Sequence, residues 1–176
     1  GFTRGSNISY MKERLSPTQI SWLGYPGTSG LKSIDYIFSD KYLAPTSSNL
    51  TSEKLLITNG SSLCFEYMDD VKITEILPKE KRGYITFGSL NNTYKITRKT
   101  LDNWACCLNQ SKNSKLFLAR REYDSFYLRK NITNYLSSLG IDKSRICFYN
   151  NRSQKRHYLD CYNEIDISLD TSPLTG

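Results

Sequence analysis

The densest chemistry in this sequence lies in Asn91-Asn92-Thr93-Tyr94-Lys95, directly after a run of β-branched and aromatic residues at 83–90. A lysine there is a compact point charge suited to a phosphate, and a helix beginning near Thr97 adds a favourable N-terminal dipole. On position alone a solvated loop lysine is the competing reading. A second candidate is the loop Gly24-Tyr25-Pro26-Gly27-Thr28-Ser29-Gly30, where three glycines around a proline allow backbone amides to approach a ligand closely. Its alternative is an ordinary turn between strands. The single histidine, His157, sits in the basic stretch Lys155-Arg156-His157 and would have to serve any hydrolytic triad or zinc site, so both are weak here. Neither GxGxxG nor GxxxxGK[ST] occurs, which leaves a nicotinamide dinucleotide and a P-loop nucleotide unsupported.

The elements that must carry these residues are clearest from residue 83 onward. Residues 83–90 read as a strand, and Thr97 then caps a helix whose Leu101, Trp104, Ala105 and Leu108 follow the i, i+3, i+4, i+7 pattern. A strand at 115–119 precedes a helix burying Leu128, Ile132, Tyr135, Leu136 and Leu139, with Gly140 as its C′ residue. A third strand at 145–149, a helix starting at Ser153 with Tyr158 and Tyr162, and a fourth strand at 165–169 complete three βα units. That alternation predicts a Rossmann-like parallel sheet. Ligands bind beyond the carboxyl ends of such strands, here 91–95, 120–121, 150–152 and 170–171. Residues 1–82 are less regular: a short helix over about 6–14, strands near 18–23, 34–39, 54–57 and 63–67, and a linker at 78–82, Pro-Lys-Glu-Lys-Arg. The expected division is therefore 1–77, the linker 78–82, and 83–176.

Charge follows the same division. The 176 residues carry Lys+Arg 24 against Asp+Glu 17, a net +7. Residues 83–176 hold 14 basic and 8 acidic side chains, so +6 of the surplus lies there and suits an anionic partner. A merely solvated basic face is as good a reading of the charge alone. The 38% hydrophobic content excludes a disordered chain, and mean hydropathy of −0.52, with no apolar run near the roughly 20 residues of a membrane helix, speaks against a membrane protein. Five cysteines without a CxxC pair read as reduced thiols, and with no secretory signal sequence in view the expected compartment is cytoplasmic.

Three stretches, TRGSNISYMKERLSPTQISWLGYPGTSGLKSIDYIFSDKY, GYITFGSLNNTYKITRKTLDNW and YNEIDISLDTSPLTG, together closely resemble the catalytic region of the protein O-GlcNAc transferase and SPINDLY family of glycosyltransferases. The resemblance implies an α/β, GT-B type fold: the end of one Rossmann-like domain, then a Rossmann-like parallel sheet that binds the nucleotide sugar. It implies transfer of N-acetylglucosamine from UDP-GlcNAc to Ser or Thr of acceptor proteins, with inversion, no metal and no cofactor. Asn92, Tyr94 and Lys95 match the family's nucleotide-binding loop, with Tyr94 and Lys95 as the catalytic candidates and Lys95 on the donor's phosphates. Thr3, Leu23, Gly24 and Pro26 match positions lining the sugar and acceptor side. Asn151 and Arg152 fall in the segment passing the base. Tyr158 occupies the place of a family histidine that packs on the nucleoside, and His157 falls one residue early. Relative to the family, the chain starts after a catalytic-region histidine and stops before a Gly/Thr-rich segment that cradles the diphosphate. It is therefore expected to be a truncated piece, inactive alone, of a parent with tetratricopeptide repeats. Two other readings compete: a basic module contacting nucleic acid through Arg, Lys and Tyr at 145–158, which the motif match disfavours, and a catalytically silent interaction domain.

Overall fold

A computed structural model describes residues 7–24, 27–44, 48–66, 72–150 and 158–175. The chain divides into two compact units, Gly1–Met68 and Asp69–Gly176.

In the first unit three parallel strands, β1 (Ile20–Ser21), β2 (Tyr36–Asp40) and β3 (Lys54–Thr58), lie in the order β1-β2-β3. The helix expected over 6–14 is one 3-10 turn, Tyr10–Lys12. Its continuation is diverted by Gln19, whose side chain accepts from Leu15 N at 2.9 Å and donates to Ser33 O at 2.7 Å, so the backbone finds partners without a helix. β1 is shorter than the expected 18–23 because the chain turns at Leu23 and Gly24, with φ +52° and +136°. No strand forms over 63–66.

The second unit carries α1 (Pro78–Arg82), β4 (Ile85–Ser89), α2 (Arg98–Gln110), β5 (Ser114–Ala119), α3 (Phe126–Ser138), β6 (Ile146–Tyr149) and β7 (Ile167–Ser168). The sheet is parallel with order β6-β5-β4-β7, the arrangement the βα alternation predicts. Thr97 caps α2 by accepting from Thr100 N at 3.2 Å, and Ser125 caps α3 by accepting from Leu128 N at 3.3 Å. Leu101, Trp104, Ala105 and Leu108 of α2 pack with Leu116 and Leu118 of β5 and Ile132 and Leu136 of α3 in one core.

Two expectations change. Residues 78–82 are not a linker but the helix α1, inside the second unit. Pro78 sits in its first turn, Gly83 ends it at φ +73°, and Lys79 N donates to Asp166 Oδ1 at 2.8 Å. The helix expected from Ser153 begins outside the described residues, and Tyr158–Glu164 form a 3-10 segment leading to a two-residue β7.

Gly88, the fourth of the five residues of β4, has no space for a side chain: a Cβ there would meet Ile165 Cδ1 at 2.3 Å. Ile165 is buried against Leu90, Ala119 and Cys161. Gly88→Ala should therefore destabilise by about 1–3 kcal/mol through overpacking. Urea denaturation should show a lower midpoint, partly restored by Ile165→Ala in the same chain. An unshifted midpoint would show that the two elements are not held at this separation.

Candidate functional site

β4 is the first strand of the second sheet, and the chain runs from it to β5 on one side and finally returns to β7 on the other. The carboxyl ends of β4 and β7 therefore flank the point where the strand order reverses, the place where an open α/β sheet leaves a crevice. An open cleft of about 340 Å³ lies there, lined by Leu90, Asn91, Tyr162, Ser168, Leu169 and Asp170.

Its walls are held by long-range bonds. Asn91 Nδ2 donates to Asp170 Oδ1 at 2.8 Å, and Trp104 Nε1 to Asp170 O at 3.0 Å. Ser172 is bonded to the first turn of α2: its carbonyl accepts from the hydroxyls of Thr97 at 2.9 Å and Thr100 at 3.0 Å, while its N–H donates to Thr100 Oγ1 at 3.1 Å. Asn91 appeared in the sequence as a strand end; its clamp on Asp170, and that of Thr97, Thr100 and Trp104 on 170–172, left no local signal.

Asn92 caps the 3-10 turn Thr93–Lys95, its Oδ1 accepting from Tyr94 N at 3.1 Å. This turn swings Lys95 toward the segment after β7, where its Nζ donates to the Thr175 carbonyl. A carbonyl leaves the ammonium charge intact, and among the described residues no carboxylate pairs with it. Tyr94 points into solvent, 90% exposed. Tyr158 reaches the same strand end: its hydroxyl donates to Leu90 O, and its ring faces the Arg120 guanidinium at 5.8 Å. Asn92, Tyr94, Lys95 and Tyr158 are thus gathered around the end of β4. Arg120 is engaged by Glu122 at 3.2 Å, whereas Arg121 is largely exposed. Asn151, Arg152 and His157 lie outside the described residues, as do Thr3 and Pro26. Among the described residues no group of His, Cys, Asp and Glu could hold a metal ion.

Leu23 and Gly24 belong to the first unit, where they line a small concavity with Trp22, Phe38, Leu43 and Leu63 alongside β1 and β2. Trp22 fixes its floor, donating from Nε1 to Ser62 O at 2.8 Å and meeting Phe38 edge-on at 5.8 Å. The following Gly27–Gly30 segment is anchored by a residue the sequence did not single out. Glu53, 5% exposed, accepts from Thr28 Oγ1 at 2.6 Å, from Ser29 N at 2.7 Å, from Ser52 Oγ at 3.0 Å and from the Ser29 hydroxyl. Burial pushes this carboxyl up, but the hydroxyls of Ser29 and Thr28 and the Ser29 amide outweigh it and lower it from 4.5 to about 2. Asp40 behaves alike: bonds from Ser62 N, the Ser62 hydroxyl and Leu43 N hold its carboxyl far below the usual carboxylate range.

Because the folded-state carboxyl of Glu53 titrates lower than the unfolded one, its stabilisation is complete above pH 4.5 and is lost as the pH falls toward about 2. Glu53→Gln places an amide donor among donors and should cost about 1–3 kcal/mol at neutral pH. The difference in urea midpoint between wild type and variant should shrink steadily across that acid window. A difference independent of pH would mean that the carboxylate charge does not hold the loop.

Comparison with known proteins shows the family and the fold. The profile described as Glycosyl transferase family 41 matches residues 1–68 and 72–176. A probable UDP-N-acetylglucosamine–peptide N-acetylglucosaminyltransferase SPINDLY of Petunia hybrida is 32% identical over 177 residues, covering 100% of this chain and 19% of that protein. The probable UDP-N-acetylglucosamine–peptide N-acetylglucosaminyltransferase SEC of Arabidopsis thaliana is 25% identical, over 100% of this chain and 18% of its own length. Among solved structures, a mutant O-GlcNAc transferase of Thermobaculum terrenum superposes with a TM-score of 0.78 at 26% identity, over 92% of this chain and 30% of that one. The chain spans about a fifth of the length of these curated relatives. Its parallel α/β architecture is of the GT-B type expected from the motifs, and the chain belongs to glycosyl transferase family 41.

Proposed function

We propose that this chain supplies the donor-binding part of a protein O-GlcNAc transferase, with a nucleoside diphosphate in the cleft between the ends of β4 and β7. The observation that carries the reading is Lys95: a cation without a carboxylate partner among the described residues, fixed by a capped turn at the strand-order reversal. The relatives' names supply the donor, UDP-GlcNAc, and a peptide acceptor.

In such a transfer an acceptor Ser or Thr oxygen bonds to the sugar's anomeric carbon as the bond from that carbon to the diphosphate breaks, and a single displacement inverts the centre. The acceptor's proton passes to a base, and the departing UDP gains negative charge. In this reading Lys95 stabilises that charge in place, so neither metal nor cofactor is called on. Asn92 orients the turn, and exposed Tyr94 stands beside Lys95 at the cleft mouth. Tyr158, steadied by Leu90 O and Arg120, offers a ring for a nucleobase. Leu23 and Gly24 belong to the sugar and acceptor side. Five cysteines without a CxxC pair are the basis for placing the chain in a reducing, cytoplasmic setting.

Calorimetric titration of the intact protein with UDP and UDP-GlcNAc tests the reading, with a single-stranded oligonucleotide as the competing ligand. Lys95→Ala should weaken UDP binding about tenfold or more, the scale of one charge-assisted contact. Equal affinity in the variant would remove Lys95 from the site, and tight, salt-sensitive oligonucleotide binding without nucleotide binding would overturn the assignment.

A further inference from the structure

The 3-10 segment Tyr158–Glu164 brings a second aromatic ring to the cleft between β4 and β7. Tyr162 is 46% exposed, although the chain on either side of it is anchored. Cys161, before it, is buried with Leu90, Ala119 and Ile165. Asn163, after it, accepts from Thr74 N at 3.0 Å through Oδ1 and donates from Nδ2 to the Lys72 carbonyl at 2.7 Å. The carbonyl of Tyr162 itself accepts from Ile165 N at 3.1 Å. The ring is therefore left half in water on a fixed backbone, which forgoes the stabilisation that burying an aromatic side chain brings.

Tyr158 and Tyr162 differ in what holds them. Tyr158 is tied by its hydroxyl to Leu90 O and stands beside Arg120, the residue after β5. Tyr162 lies toward β7 and lines the cleft, where Leu90 and Leu169 add apolar surface and Asn91 and Ser168 add an amide and a hydroxyl. Burial, with Tyr158 and Asp170 nearby, raises the Tyr162 hydroxyl above its ordinary value, so the phenol stays neutral. A pocket wall that joins an aromatic face to a few polar groups suits a ring with apolar faces and a hydrogen-bonding edge. A diphosphate has no apolar face to set against it, and the cation suited to phosphate, Lys95, stands elsewhere, in the turn after β4.

We propose that Tyr162 is a stacking residue of the donor cleft, whose exposed face takes an uncharged ring of the nucleotide sugar, in the uridine or in the transferred sugar, while Lys95 takes the diphosphate. The inference rests on the donor-binding reading of the same cleft and gives the ligand a direction within it. The charged part lies against the turn that follows β4, and a ring lies against the segment that precedes β7. Asn91 and Ser168 stand in the same cleft for the polar edge of that ring. The phenol ring, with only two side-chain torsions to fix, gives this contact at low cost in conformational entropy.

Calorimetric titration of the intact protein with pyrophosphate, UDP and UDP-GlcNAc tests it. Tyr162→Ala should weaken UDP-GlcNAc about tenfold, the range of an anchoring aromatic residue, and leave pyrophosphate unchanged. Tyr162→Phe keeps the ring and should bind as the wild type does. Lys95→Ala, by contrast, should weaken all three ligands. An equal loss for UDP assigns the stacked ring to the uridine, and a loss confined to UDP-GlcNAc assigns it to the transferred sugar. The proposal is overturned if Tyr162→Ala binds both nucleotides as tightly as the wild type, if it weakens pyrophosphate as much as the nucleotides, or if Tyr162→Phe loses as much as Tyr162→Ala. In those cases nucleotide binding that Lys95→Ala weakens would leave the donor reading standing. A wild-type protein that binds neither nucleotide would overturn both.

Discussion

The attachment of β7 to β4 is the contact on which the cleft of the second unit depends. Only two residue pairs, Phe87 with Ile167 and Gly88 with Ser168, register the strands, too few for a ladder to hold alone. Side chains make up the difference. Asp166 receives Thr86 N and Lys79 N, both at 2.8 Å, joining β7 to β4 and α1 with one carboxylate. Gly88 gives Ile165 the room to reach the core beneath. Beyond the strand, Ser172 is seated on the hydroxyls that begin α2. Remove this closure and Asp170 leaves Asn91, Thr175 leaves Lys95, and the crevice has one wall.

A common device recurs in both units where regular structure runs out. An ionised carboxylate accepts but cannot donate, so it can take several backbone and hydroxyl donors that no helix or strand satisfies. Asp35 takes Gln19 N at 2.8 Å together with the Arg14 guanidinium. Asp40 takes Ser62 N at 2.8 Å, and Glu53 gathers the Thr28 and Ser29 donors. The irregular first unit keeps a defined shape because these carboxylates replace ladder bonds that its short strands do not make.

The basic surplus of residues 83–176 is also divided in space. Lys95 stands in the turn after β4, bonded to the Thr175 carbonyl beyond β7. Lys130 and Lys143 stand at the far edge, two strands away, beside exposed aromatic rings. A net charge counts both alike; the sheet order puts them at separate places on the second unit.

The repeating part of the structure was legible in the residues. The spacing Leu101, Trp104, Ala105, Leu108 is the buried face of α2, Thr97 and Gly140 mark helix ends, and the motif stretches name the family. Lys95 could be placed because it follows a strand and precedes a capped helix, both local facts. Tertiary structure alone decided that the 78–82 helix is bound to Asp166, that Glu53 anchors the Gly27–Gly30 segment, and that Tyr158 is held on Leu90. The reason is physical. Helix and strand periodicity are written in neighbouring residues, whereas one carboxylate meeting an amide 87 positions away, as Asp166 meets Lys79, leaves no periodic trace and exists only once the chain has folded.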